Sequence, residues 1–223
     1  MRDAVQSRRV WDLPTRLLHW LLAVLFVFSW WSAETRRMDW HQRSGLAICG
    51  LIVFRLLWGL FGSSTAQFAQ FVRGPRAVWS HLRTAGGGDL VLGHNPLGGW
   101  SVVVLLVVLV FQVVTGTIAV DIDGIESGPL SYLVNFDQGR VAAALHEQSF
   151  NVLLLLVGLH IAAVLFYLGV RRRNLIAAMI TGRQGMAMGR GAATMTPAPW
   201  WRAVLALLVS MVFAWALAGG FRI

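Results

Sequence analysis

The sequence has no lysine, one cysteine and few charges of either sign. Each shortage excludes something. With Cys49 alone the chain cannot form an internal disulfide, a cysteine-only zinc site, a cysteine-held iron–sulfur cluster or the C-x-x-C-H attachment of a c-type haem. A bound metal must be held by other groups, and six histidines are present. Charged residues make up 13% of the chain and hydrophobic ones 57%, against about 25% charged in an ordinary soluble domain. The chain reads as an integral membrane protein in contact with lipid. Its +9 net charge is carried by arginine alone, and the arginines flank apolar runs. That placement is a topology signal rather than a nucleic-acid surface, and no nucleic-acid partner is expected.

Five apolar runs are long enough to matter, judged against the roughly 20 residues a helix needs to cross a bilayer. They cover about 14–31, 41–61, 100–120, 145–170 and 200–220. The first follows Asp12-Leu13-Pro14, a capping residue with proline early in the helix. It lacks a small-x-small cleavage site, so it reads as a retained helix rather than a signal peptide. Arg2, Arg8, Arg9 and Arg16, then Arg73, Arg76 and Arg83, then Arg171, Arg172, Arg173, Arg183, Arg190 and Arg202 fall on one side. On the other, Arg36, Arg37, Arg43, Arg140 and Arg222 are partly balanced by Glu34, Asp39, Asp121, Asp123, Glu126 and Asp137. The positive-inside rule then puts the N-terminus in the cytoplasm and the C-terminus outside. Residues 121–142 read as a long outside loop, and 182–198, rich in Gly, Met and Ala, as a loose linker.

Ionisable side chains inside a membrane are expensive and need a reason. "HEQSFNVLLLLVGLH" carries His146 and His160 at its two ends. Fourteen residues are close to four helical turns, so both share a face, roughly 21 Å apart along the axis. With the topology above, His19 and His160 lie at the cytoplasmic level, His41 and His146 at the outer one. The inner pair is offset by roughly 8 Å for upright helices, which tilt absorbs. A lone histidine could simply bond a neighbouring helix. Two facing histidines at each of two depths are better explained as axial ligands of two haem irons, built between the helices of a bundle. Zinc would find its tetrahedral shell half filled. Arg55 shares His41's face near the inner level, where a haem propionate suits a guanidinium; Arg16, one turn before His19, is a second candidate whose alternative is ordinary topology signalling. His81 reads as solvated, and His94, in "GHNPLGG", as the cap of the third span with a structural or interfacial role, its alternative being contact with quinone or a haem propionate. Gln112, Thr115 and Gly116 read as close packing without chemistry.

The stretches "VWDLPTRLLHW" (10–20), "WHQRSGLAICGLIVFRLLWGLFG" (40–62), "GHNPLGG" (93–99), "QVVTG" (112–116), "LHEQSFNVLLLLVGLHIAAVLFY" (145–167) and "NLIAAMITG" (174–182) together resemble the prokaryotic cytochrome b561 / nickel–iron-hydrogenase b-type cytochrome family. The resemblance implies an all-α, integral membrane four-helix haem-binding bundle with two haem b, ligated by His19, His41, His146 and His160. Residues 1–182 are then the di-haem core, 183–198 a cytoplasmic linker and 199–223 an additional transmembrane helix. It also implies electron transfer between the quinone pool and a periplasmic partner such as a c-type cytochrome or hydrogenase. Where relatives often carry Arg-Phe after the second span, this chain has Ala66-Gln67-Phe68. Two other readings compete. One is a superoxide:quinone oxidoreductase, with Arg36, Arg37 and Arg43 steering the anion. The other is a haem-free membrane anchor.

Overall fold

Asp12 starts the first long helix as the sequence predicts: its carboxylate accepts from the Thr15 backbone N–H at 2.7 Å, meeting one of the donors a helix N-terminus leaves open. The computed structural model describes residues 5–83, 93–123, 125–187 and 194–221. Arg2, Arg190 and Arg222 and the side chain of His81 lie outside the described residues. The elements in chain order are β1 (Val5–Arg9), α1 (Leu13–Glu34), α2 (Met38–Phe61), α3 (Phe68–Phe71), α4 (Pro75–Arg83), α5 (Pro96–Ile118), a 3-10 turn (Ser131–Leu133), α6 (Phe136–Gly169), α7 (Leu175–Thr181), β2 (Arg183–Ala187) and α8 (Trp200–Ala218). Five of them, α1, α2, α5, α6 and α8, are long and apolar enough to cross a membrane, an all-α membrane bundle. The chain divides into two compact units.

The first unit holds Met1–Leu17, Leu57–Val103 and Leu159–Ala203. Here β1 and β2 pair antiparallel, from Val5 opposite Ala187 to Arg9 opposite Arg183. The reading of 182–198 as loose is corrected over 183–187. Residues far apart in sequence pair there, and no local turn signal announces it. The ladder continues as Val10 and Trp11 donate to the Gly182 carbonyl at 2.8 and 3.2 Å, over a small core of Val10, Trp11 and Ala178. Gly182 ends α7 in the left-handed region at φ +76°, a conformation cheap only for glycine. A Cβ there would stand 2.7 Å from the Trp11 carbonyl oxygen. Asp12, 6% exposed, also accepts from Trp58 Nε1 at 3.0 Å and from Ser63 Oγ, fastening the start of α1 to the end of α2. Asn95, not His94, caps α5, accepting from the Gly98 N–H at 2.6 Å and donating to the Tyr167 hydroxyl at 2.6 Å. His94 instead packs its ring 4.7 Å from Trp11 and 4.6 Å from Phe71.

The second unit holds Leu18–Leu56, Val104–Gly158 and Val204–Ile223. α6 begins about nine residues before the expected start, so 136–142 is helix, not loop. The cause is a reciprocal cap: Asn135 Oδ1 accepts from the Gln138 N–H at 2.9 Å, and Gln138 Oε1 accepts from the Asn135 N–H at 3.2 Å. The remaining loop folds back on α5, where the Thr117 and Ala119 carbonyls accept from the Leu130 and Gly128 N–H groups at 2.8 Å each. Arg140 donates to the Val120 carbonyl at 3.0 Å. The Tyr132 hydroxyl donates to the Gly220 carbonyl at 2.5 Å, tying the loop to the end of α8. That helix packs closely on α2: a Cβ on Gly50 would stand 3.3 Å from Ala214 Cβ.

Candidate functional site

His41, three residues into α2, and His146, in α6, face each other in the second unit with ring centroids 5.9 Å apart and planes at 87°. Both are half-buried. Their Nδ1 atoms are held the same way. His41 Nδ1 lies 2.9 Å from the Ser29 carbonyl oxygen in α1, and His146 Nδ1 lies 2.7 Å from the Gln112 carbonyl oxygen in α5. A carbonyl can only accept, so each Nδ1 carries the proton and leaves Nε2 with the ring's lone pair.

The two carbonyls are further matched by a hydroxyl three residues along their own helix. Ser32 Oγ donates to Ser29 O at 2.8 Å, and Thr115 Oγ1 shares its proton between Gln112 O at 3.0 Å and Phe111 O at 2.9 Å. Ser32 is 0% exposed and Thr115 5%. Ser29 Oγ adds a contact to His41 Nδ1 at 3.2 Å. The Gln112 amide nitrogen lies 3.1 Å from His146 Nε2, while Gln112 Oε1 accepts from Ser149 Oγ, which sets the amide's orientation. Gly116 completes the setting. A Cβ there would come 2.7 Å from Cε1 of His146, so only glycine lets the ring lie against α5.

Neutral imidazoles on separate helices, with Nδ1 fixed on a carbonyl and the lone pair on Nε2, are the donor set a haem iron takes at its axial positions, the iron at His146 taking the place of the Gln112 amide. The residues present fit that group. The support comes from residues the sequence does not flag: Ser29 and Ser32 look like small packing residues in an apolar run, and Gln112, Thr115 and Gly116 look like close packing. Their role is carried largely by main-chain oxygens, which every residue has.

The other expected site residues are placed by their own helices. His19, half-buried in α1, sets its ring edge-on to Trp20 at 5.1 Å. Arg55 is buried in α2, 8% exposed. Both belong to the second unit. His160, exposed on α6, and Arg16 belong to the first. Arg16 Nη1 donates to the Ile180 carbonyl in the last turn of α7, a cationic C-terminal cap. Arg37 and Arg43, exposed on either side of His41, hold their guanidinium carbons 5.8 and 5.5 Å from the Trp31 and Trp40 ring centroids.

Residues 10–182 match the family model of prokaryotic cytochrome b561. No curated protein matches the chain, and no solved structure does.

Proposed function

We propose, from the premise that this chain belongs to the prokaryotic cytochrome b561 family, that it moves electrons across the membrane on two b-type haems. The family is one of transmembrane electron transfer on haem b, and the five spans fit a multi-pass membrane protein. The finer reading has His41 and His146 as axial ligands of one haem and His19 and His160 as those of a second. Arg55 and Arg16 are the candidate propionate partners. Quinone is the mobile substrate at one end and a periplasmic c-type cytochrome or hydrogenase the partner at the other, with the N-terminus cytoplasmic.

One observation carries this reading: the His41 and His146 rings face each other at 5.9 Å with both Nδ1 protons fixed on carbonyls. Haem, when bound, supplies the one-electron couple. The protein does the rest. Ser29 O and Gln112 O hold each imidazole in one tautomer and orientation, Gly116 makes room for the His146 ring, and the carbonyl bonds raise the basicity of the ligating nitrogen. Arg55, buried in α2, carries a guanidinium, the group whose fork matches a propionate carboxylate.

The test is a dithionite-reduced minus oxidised spectrum of the purified protein, with pyridine-haemochrome counting of haem per chain. Two haems are expected, and replacing His41 or His160 should each remove a different one. One haem would overturn the inner pairing; none, after expression with ample haem, would leave the membrane-anchor reading.

A second reading draws on exposed Arg37 and Arg43 flanking His41. They form a cationic surface able to steer superoxide towards that histidine's haem, with quinone as acceptor. Rapid quinone reduction by the purified protein under a superoxide flux, slowed when both arginines become glutamine, separates it from docking of a protein partner.

A further inference from the structure

The segment between α2 and α5 does more than connect them. α3 is anchored on the ends of both spans. Phe68 fills the place a Cβ on Gly59 would take, and the Phe71 carbonyl stands 2.7 Å from where a Cβ on Gly99 would lie. Just beyond it, Arg73 offers its carbonyl to Trp100 Nε1 at 2.8 Å, in the first turns of α5. Gly74 and Pro75 then start α4, so that helix is held beside the ends of two membrane-length helices, and span ends are where tryptophans gather in membrane proteins.

α4 turns one arc of its surface outward. Pro75, Arg76, Trp79, Ser80 and Arg83 are exposed, while Ala77 and Val78 are half-buried. At 100° per residue those five fall within an arc of about 140°. They line one shallow groove. Trp79 is 59% exposed, and the Arg83 guanidinium carbon lies 5.0 Å from the Trp79 ring centroid. Residues 62–83 contain Arg73, Arg76 and Arg83 and no acidic residue. Among the described residues of this unit Asp12 is the one acid, and it is buried against Trp58 and Ser63.

We infer that α4 is a binding site for the headgroup of an anionic phospholipid. Arg76 and Arg83 contact the phosphate, Ser80 Oγ donates to it, and Trp79 inserts at the level of the glycerol backbone. Two arginines with a hydroxyl between them match a phosphate's charge and acceptors. An indole needs an environment that is apolar on one side and wet on the other, which the interface provides. A soluble anion would leave Trp79 in water; a lipid covers it. The occupant is therefore lipid rather than free phosphate, and the inference does not depend on which residues ligate haem.

The experiment is native mass spectrometry of the full-length protein released from detergent, titrated with phosphatidylglycerol, with phosphatidylcholine and, separately, with inorganic phosphate. Expected is retention of phosphatidylglycerol in preference to phosphatidylcholine, not displaced by millimolar phosphate. Affinity should fall roughly fivefold for each of Arg76→Gln and Arg83→Gln. Trp79→Ala should weaken binding of the lipid, and Trp79→Phe should restore part of it. An unchanged melting temperature shows that each variant is folded. Arg171→Gln/Arg172→Gln, also exposed in this unit, is the control. The inference is overturned if that control pair weakens binding as much as the α4 pair, if phosphatidylcholine binds equally, or if the Arg76/Arg83 double variant keeps wild-type affinity.

Discussion

Asp12 in the first unit and Gln112 in the second are both buried polar side chains in an apolar chain, yet their surroundings use them in opposite ways. Asp12 gathers donors from three directions, the Thr15 N–H, Trp58 Nε1 and Ser63 Oγ. Its acceptor capacity is spent within the protein, and the result is a fastening. Gln112 gives its carbonyl to His146 Nδ1 and its amide to His146 Nε2, and Ser29 gives its carbonyl to His41 Nδ1. There the polar groups set the tautomer of two rings and put each lone pair on Nε2, where at His146 the Gln112 amide meets it. Burial of a polar atom thus does not mark function by itself; what distinguishes the second unit is that its network ends on imidazole rings rather than on a closed set of donors.

The sharpest way to break the comparison is His146→Leu. It should remove the haem proposed to sit between His41 and His146, halving haem per chain, while a haem held by the inner pair keeps its spectrum. Retention of both haems would put the ligand elsewhere. The matching change in the first unit is Asp12→Ala. It leaves an indole N–H, a hydroxyl and a helix N-terminal N–H without their acceptor, and should destabilise the protein by about 3 kcal/mol. That is read as a lower melting temperature in detergent, with the absorbance of the His41/His146 haem unaltered. If Asp12→Ala also bleached that haem, the division of labour between the units would fail.

Gly116→Ala tests the fit more gently. The new Cβ would lie 2.7 Å from His146 Cε1, so the ring must move, at a cost of about 1–3 kcal/mol. Weaker haem retention under competition from apomyoglobin is the expected readout. Ala at Gly50, where the neighbour is Ala214 Cβ at 3.3 Å, should leave retention unchanged.

Much of this was legible in the sequence, and the rest was hidden for identifiable reasons. The five spans follow from apolar run length, and the start of α1 from Asp12 and Pro14. The facing of His41 and His146 follows from depth and spacing. α6 begins early because Asn135 and Gln138 form a polar cap, and a polar opening to an apolar helix resembles loop. At 34 residues that helix is roughly 51 Å long, well beyond the roughly 30 Å bilayer core, so its first turns need not be apolar. The β1–β2 pairing joins residues about 180 positions apart, with arginine and glycine in short strands that carry little β signal. The histidine supports were the least legible, because the atoms that matter are main-chain oxygens. Ser32 and Thr115, each a hydroxyl three residues beyond the carbonyl it serves, leave a side-chain trace of those carbonyls.

That trace yields the smallest effect. In Thr115→Val the Gln112 carbonyl loses the donor at 3.0 Å and accepts more strongly from His146 Nδ1–H. The ring becomes a more basic ligand, which favours the ferric state, so the midpoint potential should fall. If roughly 0.5–1 kcal/mol of a neutral hydrogen bond is redirected in this way, a one-electron couple shifts by about 20–40 mV. Ser32→Ala should do the same through Ser29 O and His41, since the two carbonyls are built alike. Ser210→Ala is the control. Ser210 Oγ donates to the Ala206 carbonyl at 2.7 Å within α8, where no histidine shares the acceptor, and its removal should leave the potential where it was. A redox titration showing equal shifts in all three variants, or a rise for Thr115→Val, would mean that the shared carbonyls do not set the basicity of these rings. The likeness between the two histidines would then be one of packing alone.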